Sequence, residues 1–100
     1  MEKLKVLRLL HFNDVYEISE RANPTDDIPA GIARFVKALE LARQRAKQQG
    51  IECLTAFSGD LLSPSRLSTS EQGNHMVYPF NKCKVDVAMI GNHDLDFGVL

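Results

Sequence analysis

The residues able to do chemistry in this chain fall in three short clusters: Asn13-Asp14, Gly59-Asp60 and Gly91-Asn92-His93-Asp94. Taken singly, each resembles an ordinary turn, because Asn, Asp and Gly favour turns. Taken together, they set an acid behind each of three separate apolar runs. If the clusters meet in space, their carboxylates repel, and one takes up a proton unless a cation lies between them. Oxygen donors of Asp and Asn suit hard divalent ions such as Mg²⁺ or Mn²⁺, and an imidazole adds affinity for transition metals. Two such ions about 3.5–4 Å apart can activate a bridging water and brace both oxygens of an in-line displacement at phosphorus. Asp60, on the middle cluster, is the natural bridging ligand. Glycines before it and before Asn92 allow close backbone approach.

The clusters can meet only if the elements before them are parallel strands. Leu4–Phe12, Ile51–Phe57 and Val85–Ile90 are short, apolar and ended by turn residues, which predicts three strands. Between the first two, Ile32, Phe35, Val36, Leu39, Ala42 and Ala46 recur at helical spacing and predict a helix over Gly31–Gln49. Asp26 or Asp27 is placed to cap the helix, Pro29 suits a first helical turn, and Gly50 ends it in a left-handed conformation. Lys37, Arg43, Arg45 and Lys47 fall mostly off the apolar stripe and read as a solvated face. Pro64 and four serines make Leu61–Ser70 read as a loop with room for a turn of helix, and Glu71–Asn81 reads as a short helix. The resulting β-α-β-α-β order implies an α/β fold with a parallel sheet and right-handed crossovers. Parallel sheets carry functional residues at the carboxyl ends of their strands. Asp14, Asp60, Asn92, His93 and Asp94 are therefore expected on one edge.

The chain has 100 residues, 44% hydrophobic, which suits one small folded unit rather than a disordered segment. Its 12 basic and 13 acidic residues give a net charge of -1, so electrostatics offers no reason to expect nucleic acid or an anionic membrane. No apolar run approaches the roughly 20 residues of a membrane span. Cys53 and Cys83 are too few for a disulfide scaffold and read as buried free thiols, which favours a reducing, cytoplasmic setting.

His11-Phe12-Asn13-Asp14, the stretch Phe57-Ser58-Gly59-Asp60 with Ser63-Pro64-Ser65, and Gly91-Asn92-His93-Asp94-Leu95-Asp96-Phe97-Gly98 resemble, in order, the N-terminal motifs of the 5′-nucleotidase family of calcineurin-like metallophosphoesterases. Gly31-Ile32-Ala33-Arg34 resembles the start of that family's first helix. The resemblance implies an N-terminal part of a metallophosphoesterase α/β sandwich. It implies two divalent metal ions (Mn, Zn, Mg or similar) and a phosphomonoester or nucleotide substrate. Asp14 would ligate the first metal, Asp60 would bridge both, and Asn92 would ligate the second. His93 would stabilise the transition state or protonate the leaving oxygen, with Asp94 orienting its ring. His11 has no ligand role in the pattern and reads as a strand-end histidine hydrogen-bonded within the fold.

Two departures from the pattern bear on function. The family's first motif is usually Asp, any residue, His, whereas this chain has Asp14-Val15-Tyr16. The family also supplies later histidine motifs, including a Gly-His-x-His, whereas the histidines here are His11, His75 and His93. The chain is thus expected to be a truncated part of the domain that needs the remainder of its parent. The competing expectation is a non-catalytic α/β binding or regulatory fragment. A dinucleotide-binding domain is disfavoured, because no Gly-x-Gly-x-x-Gly follows the first strand.

Overall fold

The computed structural model describes residues 3–18 and 31–98. Strand β1 (Leu7–Phe12) leads through helix α1 (Ile32–Gln48) to β2 (Glu52–Phe57). Two short helices follow, α2 (Arg66–Glu71) and α3 (Val77–Cys83), with a 3-10 turn at Asn74–Met76 between them. The chain then enters β3 (Val87–Ala88) and a last 3-10 turn, His93–Leu95. The sheet order is β1-β2-β3 and both pairings are parallel. The expected α/β fold is therefore what the chain adopts.

The register runs from Leu7 opposite Glu52 to Phe12 opposite Phe57. Leu4 to Val6 overhang the start of β2, which is why β1 begins later than the apolar run suggests. β3 is shorter than the predicted Val85–Ile90, with Val87 opposite Ala56 and Ala88 opposite Phe57. Main-chain bonds from Asp86 N–H to Thr55 O and from Met89 N–H to Phe57 O nonetheless hold it at both ends.

Helix α1 packs the predicted stripe inward, with Leu39 and Ala46 buried. Its C-terminus closes as a Schellman motif. Gly50 at φ 68 donates to Lys47 O, and Ile51 donates to Ala46 O, so two terminal carbonyls are satisfied. The predicted caps at Asp26, Asp27 and Pro29 lie outside the described residues. Arg43 departs from the expected solvated face. It follows Leu39 by four residues, so it points inward, and it donates to Thr55 Oγ1 at 3.2 Å and Cys83 O at 2.8 Å.

The span Leu61–Ser70 is not all loop. Ser65 caps α2 by accepting from Ser68 N–H, while Ser68 Oγ accepts from Ser65 N–H. This reciprocal box starts the turn of helix that the loop reading left room for. The predicted helix at Glu71–Asn81 is displaced, because Gln72 and Gly73 both take positive φ and end α2. Pro79 fits α3 because it sits in the first turn, where its missing N–H has no intrahelical acceptor.

The core lies between the sheet and the α1 and α3 helices. Phe12, Leu39, Phe57 and Cys83 form its buried centre. Edge and tilted ring contacts link Phe35, Phe12, Phe57 and Phe80 at centroid distances of 4.9, 5.1 and 5.0 Å. Period-two alternation turns Leu7, Leu9, Leu54, Val87 and Met89 to the opposite face, where they are 44–62% exposed. Both cysteines are free, Cys83 buried and Cys53 half-buried. Among the described residues, no helix is long and apolar enough to cross a membrane.

Candidate active site

Because β1 and β2 end level, at Phe12 and Phe57, the loops that follow them start side by side. Ser58 N–H donates to Phe12 O at 3.1 Å, and Asp14 N–H donates to Gly59 O at 3.0 Å. His11 and Ser58 add a side-chain bond of 2.7 Å, which gives His11 the structural role expected of it. The second and third loops are closer still. A Cβ on Gly59 would stand 2.5 Å from the Gly91 nitrogen, and one on Gly91 would stand 2.5 Å from the Asp60 nitrogen. The three predicted clusters thus share one edge of the sheet.

Asp14 (φ 55) and Asp60 (φ 63) both sit in the left-handed region. Asp tolerates it better than most residues, and such conformations persist where surrounding contacts impose them. Asn13 Nδ2 donates to Asp14 Oδ2. Asp60 as a residue is 9% exposed, and its Oδ1 accepts from His93 N–H at 2.7 Å. Asn92 leads into the 3-10 turn that carries His93.

The structure gives distinct places to two acids, Asp94 and Asp96, of which the sequence reading assigned a role only to Asp94. Asp94 was expected to orient the His93 ring, but its oxygens are engaged elsewhere. Oδ2 accepts from Asp60 N–H at 2.8 Å and Gly91 N–H at 2.9 Å. Oδ1 accepts from Leu61 N–H at 2.6 Å and Leu62 N–H at 3.1 Å. Asp94 is therefore a clamp joining the second loop to the third. Burial works to raise its pKa, but the four main-chain donors outweigh it and hold the carboxyl below its ordinary value.

The ring partner is Asp96, whose Oδ2 meets His93 Nδ1 at 2.9 Å. In a 3-10 turn, residues i and i+3 eclipse, so His93 reaches Asp96 and not its neighbour. Ser63 Oγ donates to the same Oδ2 at 2.8 Å. The hydrogen bond to Asp96 raises the His93 pKa, with smaller contributions from Asp60 and Asp14. The bond from His93, then that from Ser63, lowers the pKa of Asp96. Sequence reasoning gave no role to Asp96 or Ser63, although the i, i+3 spacing of His93 and Asp96 was a usable signal.

A divalent cation at this edge would draw on the oxygens of Asp14, Asp60 and Asn92. They suit a hard ion in kind. Asp60 has Oδ1 engaged by His93 N–H, and among the described residues the Asn92 carboxamide makes no hydrogen bond. Three protein oxygens do not fill the first shells of two such ions, whose other positions would fall to water, substrate phosphate or further ligands. Among the described residues, no group of three or more His, Cys, Asp or Glu could hold a metal. Each histidine already has a partner: His11 on Ser58, His93 on Asp96, and His75 Nε2 on Tyr16 O at 2.9 Å.

An apolar hollow of about 340 Å³ opens beside the edge, lined by Phe57, Leu61, Leu62, Phe80, Leu95 and Asp94 among others. Its lining offers little to a charged substrate. No protein-family model matches the chain, and no curated protein matches it.

Proposed function

We propose that this strand-end edge is part of the catalytic centre of a phosphoric ester hydrolase of the 5′-nucleotidase type, acting on a nucleotide or related phosphomonoester. The observation that carries the reading is the convergence on Asp60. Its loop is joined to the first by Asp14 N–H, and to the third by the Gly91 contact, the Asp94 clamp and the bond to His93 N–H. An edge that gathers two strained aspartates, an asparagine and a carboxylate-held histidine suits charge development at phosphorus.

Asp14, Asp60 and Asn92 would hold the metal ions, whose contribution when bound is to generate a hydroxide nucleophile at neutral pH. The chain's own part in proton transfer falls to His93. With Nδ1 on Asp96, its Nε2 is left to give a proton to the leaving oxygen. A raised pKa keeps the ring charged closer to neutral pH, as a general acid needs. The free thiols support a reducing, cytoplasmic setting.

The second reading, a non-catalytic α/β fragment, is favoured by the incomplete ligand set. Hydrolysis of p-nitrophenyl phosphate and AMP by the purified chain, with and without Mn²⁺, separates the two when paired with Mn²⁺ calorimetry. Weak Mn²⁺ binding that Asp60→Asn removes, with little turnover, fits a hydrolase centre that needs further ligands. Robust turnover abolished by Asp60→Asn and His93→Ala would show the ligand set to be sufficient. Mn²⁺ binding indifferent to Asp60 would leave the non-catalytic reading.

A further inference from the structure

The edge contains a hydroxyl that the proposed chemistry does not use. Ser63 is 5% exposed and donates to Asp96 Oδ2 at 2.8 Å, the oxygen that also meets His93 Nδ1 at 2.9 Å. An ionised carboxylate only accepts. Both partners must therefore donate, so His93 carries a proton on Nδ1. In the neutral ring the lone pair is then on Nε2.

Asp96 on its own is poorly fixed. It lies in the third loop with 38% of its side chain exposed, and an exposed carboxylate has several rotamers open to it. Ser63 is different, because the backbone beside it is held from two sides. Leu61 and Leu62 N–H are bound by Asp94, and Leu62 O accepts from Ser68 Oγ at 2.6 Å. Ser68 is itself 2% exposed and belongs to the α2 cap. Rigidity built at the start of α2 thus passes through Ser63 to Asp96.

We infer that Ser63 is a positioning residue that, through Asp96, fixes the ring orientation and the Nδ1–H tautomer of His93. Its hydroxyl acts on the ring only through Asp96, so its role is positioning and not catalytic. The purpose given to the ring rests on the proposed hydrolase reading, but the ring geometry itself does not.

The test is the ring-nitrogen spectrum of His93 in the full chain, taken by long-range ¹H–¹⁵N correlation at a pH where the ring is neutral. Wild type should show Nδ1 protonated and Nε2 bare. Ser63→Ala should lose that signature and shift both nitrogens toward an averaged tautomer mixture. Asp96→Asn should lose it as well, and Ser63→Thr, which keeps the hydroxyl, should retain it. An unchanged spectrum in Ser63→Ala overturns the inference, and so does a loss in Ser63→Thr equal to that in Ser63→Ala. If Ser63→Ala loses native amide dispersion, Ser63→Cys replaces it: its thiol donates only weakly, so a partial shift toward the averaged mixture is expected and an unchanged spectrum overturns the inference. No turnover enters the measurement, so a failed hydrolase reading and a failed positioning role give different results.

Discussion

The backbone of Gly59 rests on the backbone of Gly91, with 2.5 Å between the Gly91 nitrogen and the place a Gly59 Cβ would occupy. Gly59 also has φ 102, where an L side chain is strained. Gly59→Ala should therefore cost more than Gly50→Ala, whose Cβ would meet nothing within 4 Å. The expected difference is about 1–3 kcal/mol, the usual range for overpacking. Urea midpoints of the two variants check this, and equal midpoints would mean that the two loops are not in contact.

Asp94→Ala should destabilise the chain by about 1.5–3 kcal/mol, typical of hydrogen bonds to a charged group. It should also disorder the Asp60 loop, because Asp60, Leu61 and Leu62 N–H lose their acceptor. The folded-state pKa of Asp94 is depressed, so its contribution is present above the ordinary carboxylate value and is lost as pH falls through the folded value. Amide exchange at Leu61 and Leu62, followed down a pH series, is the measurement; protection unchanged in Asp94→Ala would refute the clamp.

The His93–Asp96 pair has two pH limits. His93 is raised above 6.5, so its share of stability is complete below 6.5 and lost as pH rises through the folded value. Asp96 is lowered below 3.8, so its share is complete above 3.8 and lost as pH falls through the folded value. The difference in melting temperature between wild type and Asp96→Asn should be largest between pH 3.8 and 6.5 and shrink on both sides. A difference flat across that range and beyond would mean that the pair does not form.

Leu7, Leu9, Leu54, Val87 and Met89 form one exposed apolar sheet face, whereas parallel sheets are ordinarily covered on both sides. The purified chain should bind the dye ANS and self-associate with rising concentration. Leu9→Lys with Leu54→Lys should reduce both, because the two residues face each other across β1 and β2. Dye fluorescence and light scattering read the effect, and an unaltered response would place the sticky surface elsewhere.

The sequence alone determined that three polar clusters would share one edge of the sheet. Apolar runs ended by Asn13-Asp14, Gly59-Asp60 and Gly91-Asn92 are local signals, and strand-helix-strand alternation is enough to send their ends to one edge. The α1 stripe and the Gly50 cap were legible for the same reason, since both depend on residues within a turn or two of one another. The tertiary structure decided which acid does what. Asp94 and Asp96 are two residues apart and chemically identical. Their roles follow from a 3-10 turn that brings His93 to Asp96, and from the Asp60 loop, some 33 residues earlier in the chain, that brings its N–H groups to Asp94. Likewise the roles of Ser63 and Arg43 are set by what lies across the fold. Side-chain hydrogen bonds over long sequence separations are chosen by packing, and composition and spacing carry no record of that choice.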